Sequence, residues 1–380
     1  MFGRGAEDEA GALIRELGGT KVLIHYGGGS AVRSGLIGRV EASLAAAGLD
    51  YVKLGGVQPN PRDTLVYEGI DLVRREGVDF VLAVGGGSTI DSSKAIAHGA
   101  CYDGDFWDFF CGKAKPQRTL PFGAVLTMAA AGSESSNSCV ITQESTHTKR
   151  GLRTELNRTR FAIMNPELAM TLPPYQIACG ATDILAHIME RYFTCDKEVD
   201  LIDRLSEGAM QAVIRAARIA VAHPDSYDTQ AQLMWASTIA HNDTLGVGRT
   251  QDWGSHQIEH ELSAKYDVAH GAGLAVVIPA WMRYHYQKNV MRFAQFAVRV
   301  YGCAMNFERP EETAMRGIEA HEAFLREIGM PLTLKELGAR AEDIPAMAAN
   351  TKKTNPDGTT GGVFPMTPAD IEAILRIADR

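Results

Sequence analysis

Phe80-Val-Leu-Ala-Val84-Gly-Gly-Gly-Ser88-Thr-Ile-Asp91-Ser-Ser-Lys94 decides the fold class. Its first five residues form an unbroken apolar run, which predicts a strand covered on both faces. Glycines end that run, and the residues through Lys94 and Ile96 read as a helix. A strand, a glycine turn and a helix in this order present main-chain N–H groups at the positive end of a helix dipole. A phosphate can approach there because Gly86 and Gly87 carry no side chain and Ser88 adds a hydroxyl donor.

The same pattern occurs upstream. Lys21-Val-Leu-Ile-His-Tyr26 reads as a strand that meets Gly27-Gly28-Gly29-Ser30, and a helix follows over 31–47. Further strands are expected over 51–54, 122–127 and 161–164, with a helix over 65–76. Strands alternating with helices imply a mainly parallel α/β sheet. Neither glycine turn is a G-x-G-x-x-G fingerprint, because Val32 and Ile90 stand where the third glycine would fall, and no Gly-Lys-Ser/Thr triplet exists. Two such turns in one α/β region still favour a dinucleotide over a simple tight connection. No carboxylate ends the first strand, where an acid would hold a ribose 2′-hydroxyl. With Ser30 and Arg33 close by, that absence favours NADP(H) over NAD(H).

Beyond Leu172-Pro-Pro174 the character changes. Amphipathic stretches over 178–193, 202–222, 229–242, 290–300 and 318–328 carry little β-type alternation, so an all-helical region is expected from about residue 169. The polar segment 350–362 reads as a mobile loop, and a last helix should start at Thr367-Pro, with Thr as cap.

Within the helical region Asp183 and His187 are four apart, on one helix face, where both can address a single ion. His256, His260 and His270 fall within fifteen residues, out of eleven histidines in the chain. One carboxylate with imidazoles suits Fe2+ or Zn2+, since borderline metals take nitrogen with some oxygen. His25, His98, His147, His223, His241, His285 and His321 are read as histidines without a ligand role.

Composition narrows the classes further. The net charge is −8 and no Lys/Arg-rich run occurs, which argues against nucleic acid or an anionic membrane as partner. Six cysteines lack CxxC spacing, so neither a disulfide framework nor a thiolate zinc site is expected. No apolar run is long enough to cross a bilayer, and a cytoplasmic protein is the expectation.

These motifs resemble the iron-containing (group III) alcohol dehydrogenases, in the branch of NADPH-dependent aldehyde reductases and butanol dehydrogenases. The resemblance runs nearly end to end. It rests on Tyr26-Gly-Gly-Gly-Ser30, Gly55-Gly-Val-Gln-Pro-Asn-Pro61 and Ala83-Val-Gly-Gly-Gly-Ser-Thr-Ile-Asp91-Ser-Ser-Lys94. It continues through Leu126-Thr-Met-Ala-Ala-Ala-Gly-Ser-Glu134, Gly180-x-x-Asp183-x-x-x-His187-x-x-Glu190, and Gln251-Asp-Trp253 ahead of the histidine series. It implies a Rossmann-like dinucleotide-binding domain over 1–168 and a helical metal-binding domain over 169–380. Asp183, His187, His256 and His270 then match the metal ligands, and His260 a non-ligand proton relay. Gly28, Gly29, Ser30, Gly86, Gly87, Ser88, Asp91, Thr127 and Lys149 match cofactor-binding positions. The implied partners are NADP(H), one divalent ion and a short or medium-chain aldehyde or primary alcohol, in a homodimer. Met128, Leu152, Trp253 and Tyr266 are candidate pocket residues. Ala131 replaces a threonine that the family places near the cofactor, and Asn165 replaces a more usual Asp. The alternatives are an NAD-dependent polyol dehydrogenase and a non-catalytic metal and NADP sensor.

Overall fold

The computed structural model describes residues 1–380 as two compact units, Met1–Thr171 and Leu172–Arg380. The boundary expected after residue 168 falls inside a short 3-10 turn, Pro166–Ala169.

The first unit holds seven strands: β1 (Lys21–Gly27), β2 (Asp50–Val57), β3 (Phe80–Gly85), β4 (Phe122–Leu126), β5 (Ser138–Gln143), β6 (Thr148–Arg153) and β7 (Ala162–Met164). Five build a parallel sheet in the order β2-β1-β3-β4-β7. All five lie where alternation placed them. Every residue of β3 is buried. Val81 packs into one core layer with Leu23, Val66, Ile70 and Ile96. Phe80, Leu82 and Val84 point the other way, against Val22, Ile24, Val40 and Leu44. A strand that serves two cores needs apolar residues at consecutive positions, which is why its run is unbroken.

The chain leaves β1 for β2 on one side and returns to β3 on the other. The loops after β1 and β3 therefore leave the carboxyl ends of neighbouring strands, with Tyr26 opposite Val84. In open α/β sheets such a switch point opens a ligand-binding crevice.

The helix expected over 31–47 is two helices, Ser30–Arg33 and Leu36–Ala46, parted at Gly35 with φ 75°. The antiparallel hairpin β5-β6 was not expected. Lys149, Arg150 and Arg153 crowd β6 with charge, so no apolar alternation marks it. Asn165, the departure from Asp, donates from Nδ2 to Oε2 of the buried Glu7 at 3.0 Å. A carboxylate at 165 could not donate there.

The second unit is helical, as expected. Its site-bearing helices are Pro174–Tyr192, Gly254–Tyr266 and His270–His285. The last helix, Pro368–Ile377, opens with a Thr367/Asp370 capping box. The helix expected from 318 begins earlier, as Pro310–Glu327, with proline in its first turn. The segment read as a mobile loop is tied down instead. Asn355 Nδ2 donates to Gly361 O at 2.8 Å, Gly361 N donates to Thr354 Oγ1 at 3.1 Å, and Gly362 N donates to Asp252 O at 2.9 Å. Just beyond, Val363 and Phe364 donate their N–H groups to Asp252 Oδ2. The Thr354 and Asn355 side chains and the main chain near Gly362 serve these bonds, which composition alone does not reveal. No helix is long and apolar enough to cross a membrane.

Candidate functional site

Helix Pro174–Tyr192 presents Asp183, His187 and Glu190 at i, i+4 and i+7, and all three are buried. Helix Gly254–Tyr266 adds His256 and His260 one turn apart. His270 opens the next helix, which approaches Pro174–Tyr192 very closely. A Cβ at Gly271 would lie 2.0 Å from Cys179 O, so only glycine admits this contact.

Donor atoms of Asp183, His256 and His270 lie within 4.8 Å of one another. His187 stands beside this trio rather than in it, with its ring centroid 4.6 Å from that of His256. Its Nδ1 bonds Asp183 O at 2.8 Å, which leaves Nε2 as the nitrogen with a lone pair. Glu259, His260 and His270 form a second, overlapping group. There the Glu259 carboxylate pairs with His270 Nδ1, leaving Nε2 on the side of Asp183, 3.9 Å from Oδ1.

Glu190 sets the orientation of His256. Its Oε1 accepts from His256 Nδ1 at 2.8 Å, from His256 N at 3.1 Å and from Ser255 Oγ at 2.5 Å, while Oε2 accepts from Trp253 N at 2.6 Å. With the Nδ1 proton given to Glu190, His256 Nε2 is a lone-pair donor. A carboxylate behind an imidazole in this way is a common support for a metal ligand. Trp253 has φ 64°, in the left-handed region that costs a bulky side chain energy. Three contacts hold it: the bond to Glu190, a bond from Nε1 to Gln251 Oε1 at 2.9 Å, and the Arg191 guanidinium 4.6 Å from its ring centroid. Asp252 caps the same turn through Gly254 N at 2.9 Å, and burial, then the charge of Glu190, push its carboxyl up to about 7.

The electrostatics suit a cation. Burial works to raise the Asp183 pKa, but the imidazoles, His187 foremost, outweigh it and hold the carboxylate well below its usual range. Burial first, then the neighbouring His187 and His270, push His256 well down. The result is an ionised carboxylate facing neutral imidazole nitrogen. Asp183 Oδ1 and His256 Nε2 are buried without a hydrogen-bond partner, and His187 Nδ1 forms an ion-pair contact with Asp183 Oδ1 at 3.0 Å. A buried carboxylate oxygen and a buried imidazole nitrogen left so fit a divalent metal such as Fe2+ or Zn2+.

Sequence reasoning missed three neighbours of this cluster. Glu190 and Glu259 received no role, although Glu190 shares the helix face of Asp183. His241, read as having no ligand role, has its ring centroid 4.2 Å from that of His187. No local spacing ties His241 to the others. Of the candidate pocket residues, Trp253 lines the cluster, 5.1 Å from His256 between centroids. Leu152 belongs to the first unit's apolar core. The Tyr266 hydroxyl is bonded to Asp343.

In the first unit, Gly86, Gly87 and Ser88 sit at the start of helix Gly87–Gly99, as a phosphate cradle requires. Thr127 extends the sheet beside them, its N–H on Gly85 O at 3.1 Å. Gly28, Gly29 and Ser30 follow β1. A Cβ at Gly29 would lie 2.5 Å from Arg33 Nη1, so glycine lets that guanidinium fold back over the loop. Lys149 Nζ donates to Asn60 Oδ1 at 2.9 Å, just after β2. Asp91 spends its carboxylate inside the protein, on Ser133 Oγ at 2.5 Å and Val140 N at 2.9 Å.

Comparison with known proteins agrees with both halves. Residues 1–166 match the family described as iron-containing alcohol dehydrogenase, and residues 177–378 match the carboxy-terminal domain of the Fe-containing alcohol dehydrogenase family. The NADH-dependent butanol dehydrogenase A of Clostridium acetobutylicum is 37% identical over 99% of this chain and 96% of its own length. The NADPH-dependent aldehyde reductase YqhD of Escherichia coli is 34% identical over 95% of this chain and 92% of its own. The crystal structure of NADH-dependent butanol dehydrogenase A from Thermotoga maritima superimposes with a TM-score of 0.97 at 38% identity, covering 100% of this chain and 96% of that one.

Proposed function

The chain belongs to the iron-containing alcohol dehydrogenase family, and on that premise we propose a metal-dependent reductase that prefers NADPH and takes short or medium-chain aldehydes. The reaction is R-CHO + NADPH + H+ ⇌ R-CH2OH + NADP+. The observation that carries this reading is the set of Asp183, His256 and His270, the first two buried and His270 partly so, with Glu190 directing His256 Nε2. Asp183, His256, His270 and, after a small rotation of its ring, His187 would hold the ion. A divalent ion there would supply Lewis-acid polarisation of the carbonyl oxygen.

The remaining work falls to the chain. Main-chain N–H groups of Gly86, Gly87 and Ser88 bind the pyrophosphate. His260, buried one turn beyond His256, delivers a proton to the carbonyl oxygen as it becomes a hydroxyl. Trp253 supplies an apolar wall that limits water at the reacting carbon.

Of the relatives named, the two butanol dehydrogenases, at 37% and 38% identity, are NADH-dependent and the aldehyde reductase, at 34%, is NADPH-dependent, so similarity does not support the NADPH preference. Loop chemistry supports NADPH. The exits of β1 (Tyr26-Gly-Gly-Gly-Ser30) and β2 (Leu54-Gly-Gly-Val-Gln58) carry no carboxylate, while Ser30 and Arg33 offer a hydroxyl and a cation to a 2′-phosphate. The assembly in this reading is a homodimer. It is supported by β2, an edge strand that pairs only with β1, and sedimentation would check it.

The test follows NADPH and NADH absorbance with butyraldehyde, using chelated protein and protein reloaded with Fe2+ or Zn2+. The reading expects metal-dependent consumption, faster with NADPH. Faster turnover with NADH would overturn the coenzyme preference. Tight NADPH binding without turnover, across several aldehydes and metals, would make the protein a sensor.

A further inference from the structure

Lys94 lies in the helix that begins at the phosphate cradle, and it is fully buried. Its ammonium is ringed by oxygens of one segment: Ser133 O at 2.7 Å, Ser133 Oγ at 2.9 Å, Ser138 O at 2.7 Å, Ser136 Oγ at 3.3 Å and Ser136 O at 3.4 Å. Asp91 Oδ1 stands 3.8 Å away. Five oxygens around three N–H groups resemble the shell of a small monovalent cation. A buried ammonium without such a shell would cost several kcal/mol. The same segment touches the cradle. A Cβ at Gly87 would lie 3.8 Å from Ala131 Cβ and 3.9 Å from Ser133 Cβ, and one at Gly86 would lie 3.6 Å from Met128 Cβ.

We infer that Lys94 is a positioning residue for the dinucleotide, its ammonium clamping residues 133–138 to the helix so that the segment beside Gly86 and Gly87 keeps its shape. Lys94 does not reach the cofactor itself; it acts through Ser133 and the chain before it. This inference rests on the reading of Gly86–Ser88 as the pyrophosphate loop. An ordinary core lysine would support folding alone, whereas a clamp of this kind sets cofactor affinity.

The test is Lys94→Ala, titrated with NADPH by fluorescence with and without n-propylammonium, which replaces the three carbons and nitrogen removed. The expected result is NADPH affinity weakened by about tenfold to a hundredfold. Propylammonium should restore much of it, while propanol, which lacks the charge, should not. At saturating NADPH the turnover should stay within about threefold of the parent, and metal content should be unchanged. Ser133→Ala, which leaves four of the five oxygens, should shift affinity the same way by less and serves if Lys94→Ala does not fold. Unchanged affinity in a folded variant, or a loss that propylammonium does not relieve, overturns the inference. Failure of the parent protein to bind either nicotinamide would instead overturn the reading of the loop.

Discussion

Replacing Glu190 with Gln probes the proposed metal centre without touching a proposed ligand. The carboxylate accepts four hydrogen bonds: three on Oε1, from Ser255 Oγ, His256 N and His256 Nδ1, and one on Oε2, from Trp253 N. Glutamine has one oxygen. The less costly orientation puts that oxygen at the Oε1 site and turns the amide NH2 toward Trp253 N, donor against donor. A buried N–H left so costs about 1–3 kcal/mol. It falls on a residue already held at φ 64°. The bond to His256 Nδ1 also loses its charge assistance, roughly halving its strength and making Nε2 a poorer ligand. Loss of an outer carboxylate of this kind weakens metal binding about 10- to 100-fold, or about 1.4–2.7 kcal/mol. The assay is competition for Zn2+ against a chromophoric chelator at constant pH, with circular dichroism to confirm folding. A folded Glu190→Gln protein that binds Zn2+ as tightly as the parent would refute the reasoning.

Further outcomes follow from the same geometry. His260→Ala should keep metal and cofactor but lose turnover by about 10²- to 10⁴-fold, whereas Asp183→Asn should lose metal and turnover together; metal-free His260→Ala protein would make His260 a ligand. Gly271→Ala drives a methyl into Cys179 O and forces two helices apart, costing about 1–3 kcal/mol in denaturant unfolding and loosening metal retention; parental stability with full metal would count against the close contact. His25 is bonded to Leu54 O and Ser92 Oγ, and burial lowers its pKa to about 4. A histidine whose folded pKa lies below its unfolded value of about 6.5 binds its proton mainly in the unfolded chain, so its support is complete above pH 6.5 and drains away as pH falls toward 4. The stability gap between parent and His25→Gln should therefore shrink by roughly 2–3 kcal/mol between pH 7.5 and 4.5, and a gap constant over that range would contradict the buried neutral ring.

What the sequence determined by itself is whatever depends on near neighbours along the chain. The unbroken run at 80–84 predicted a strand buried on both faces, and β3 is one. The strand-glycine-helix order predicted two glycine turns between strand and helix, and both lie at carboxyl ends of adjacent strands. Four-residue spacing put Asp183 and His187 on one helix face before any tertiary contact was known. Such features follow from backbone geometry, which a few residues set on their own.

The tertiary structure decided what crosses between elements. Glu190 and His256 are 66 positions apart, and nothing in either neighbourhood says that one holds the other. The same is true of His241 beside His187, and of Lys94 inside the oxygen ring of residues 133–138. The hairpin β5-β6 escaped notice because charge on β6 hides its pairing, and segment 350–362 did because its anchor, Asp252, lies far back in the chain. Hydrogen bonds between distant segments depend on the path that packing of the whole core imposes, and that path is a global minimum that no local pattern encodes.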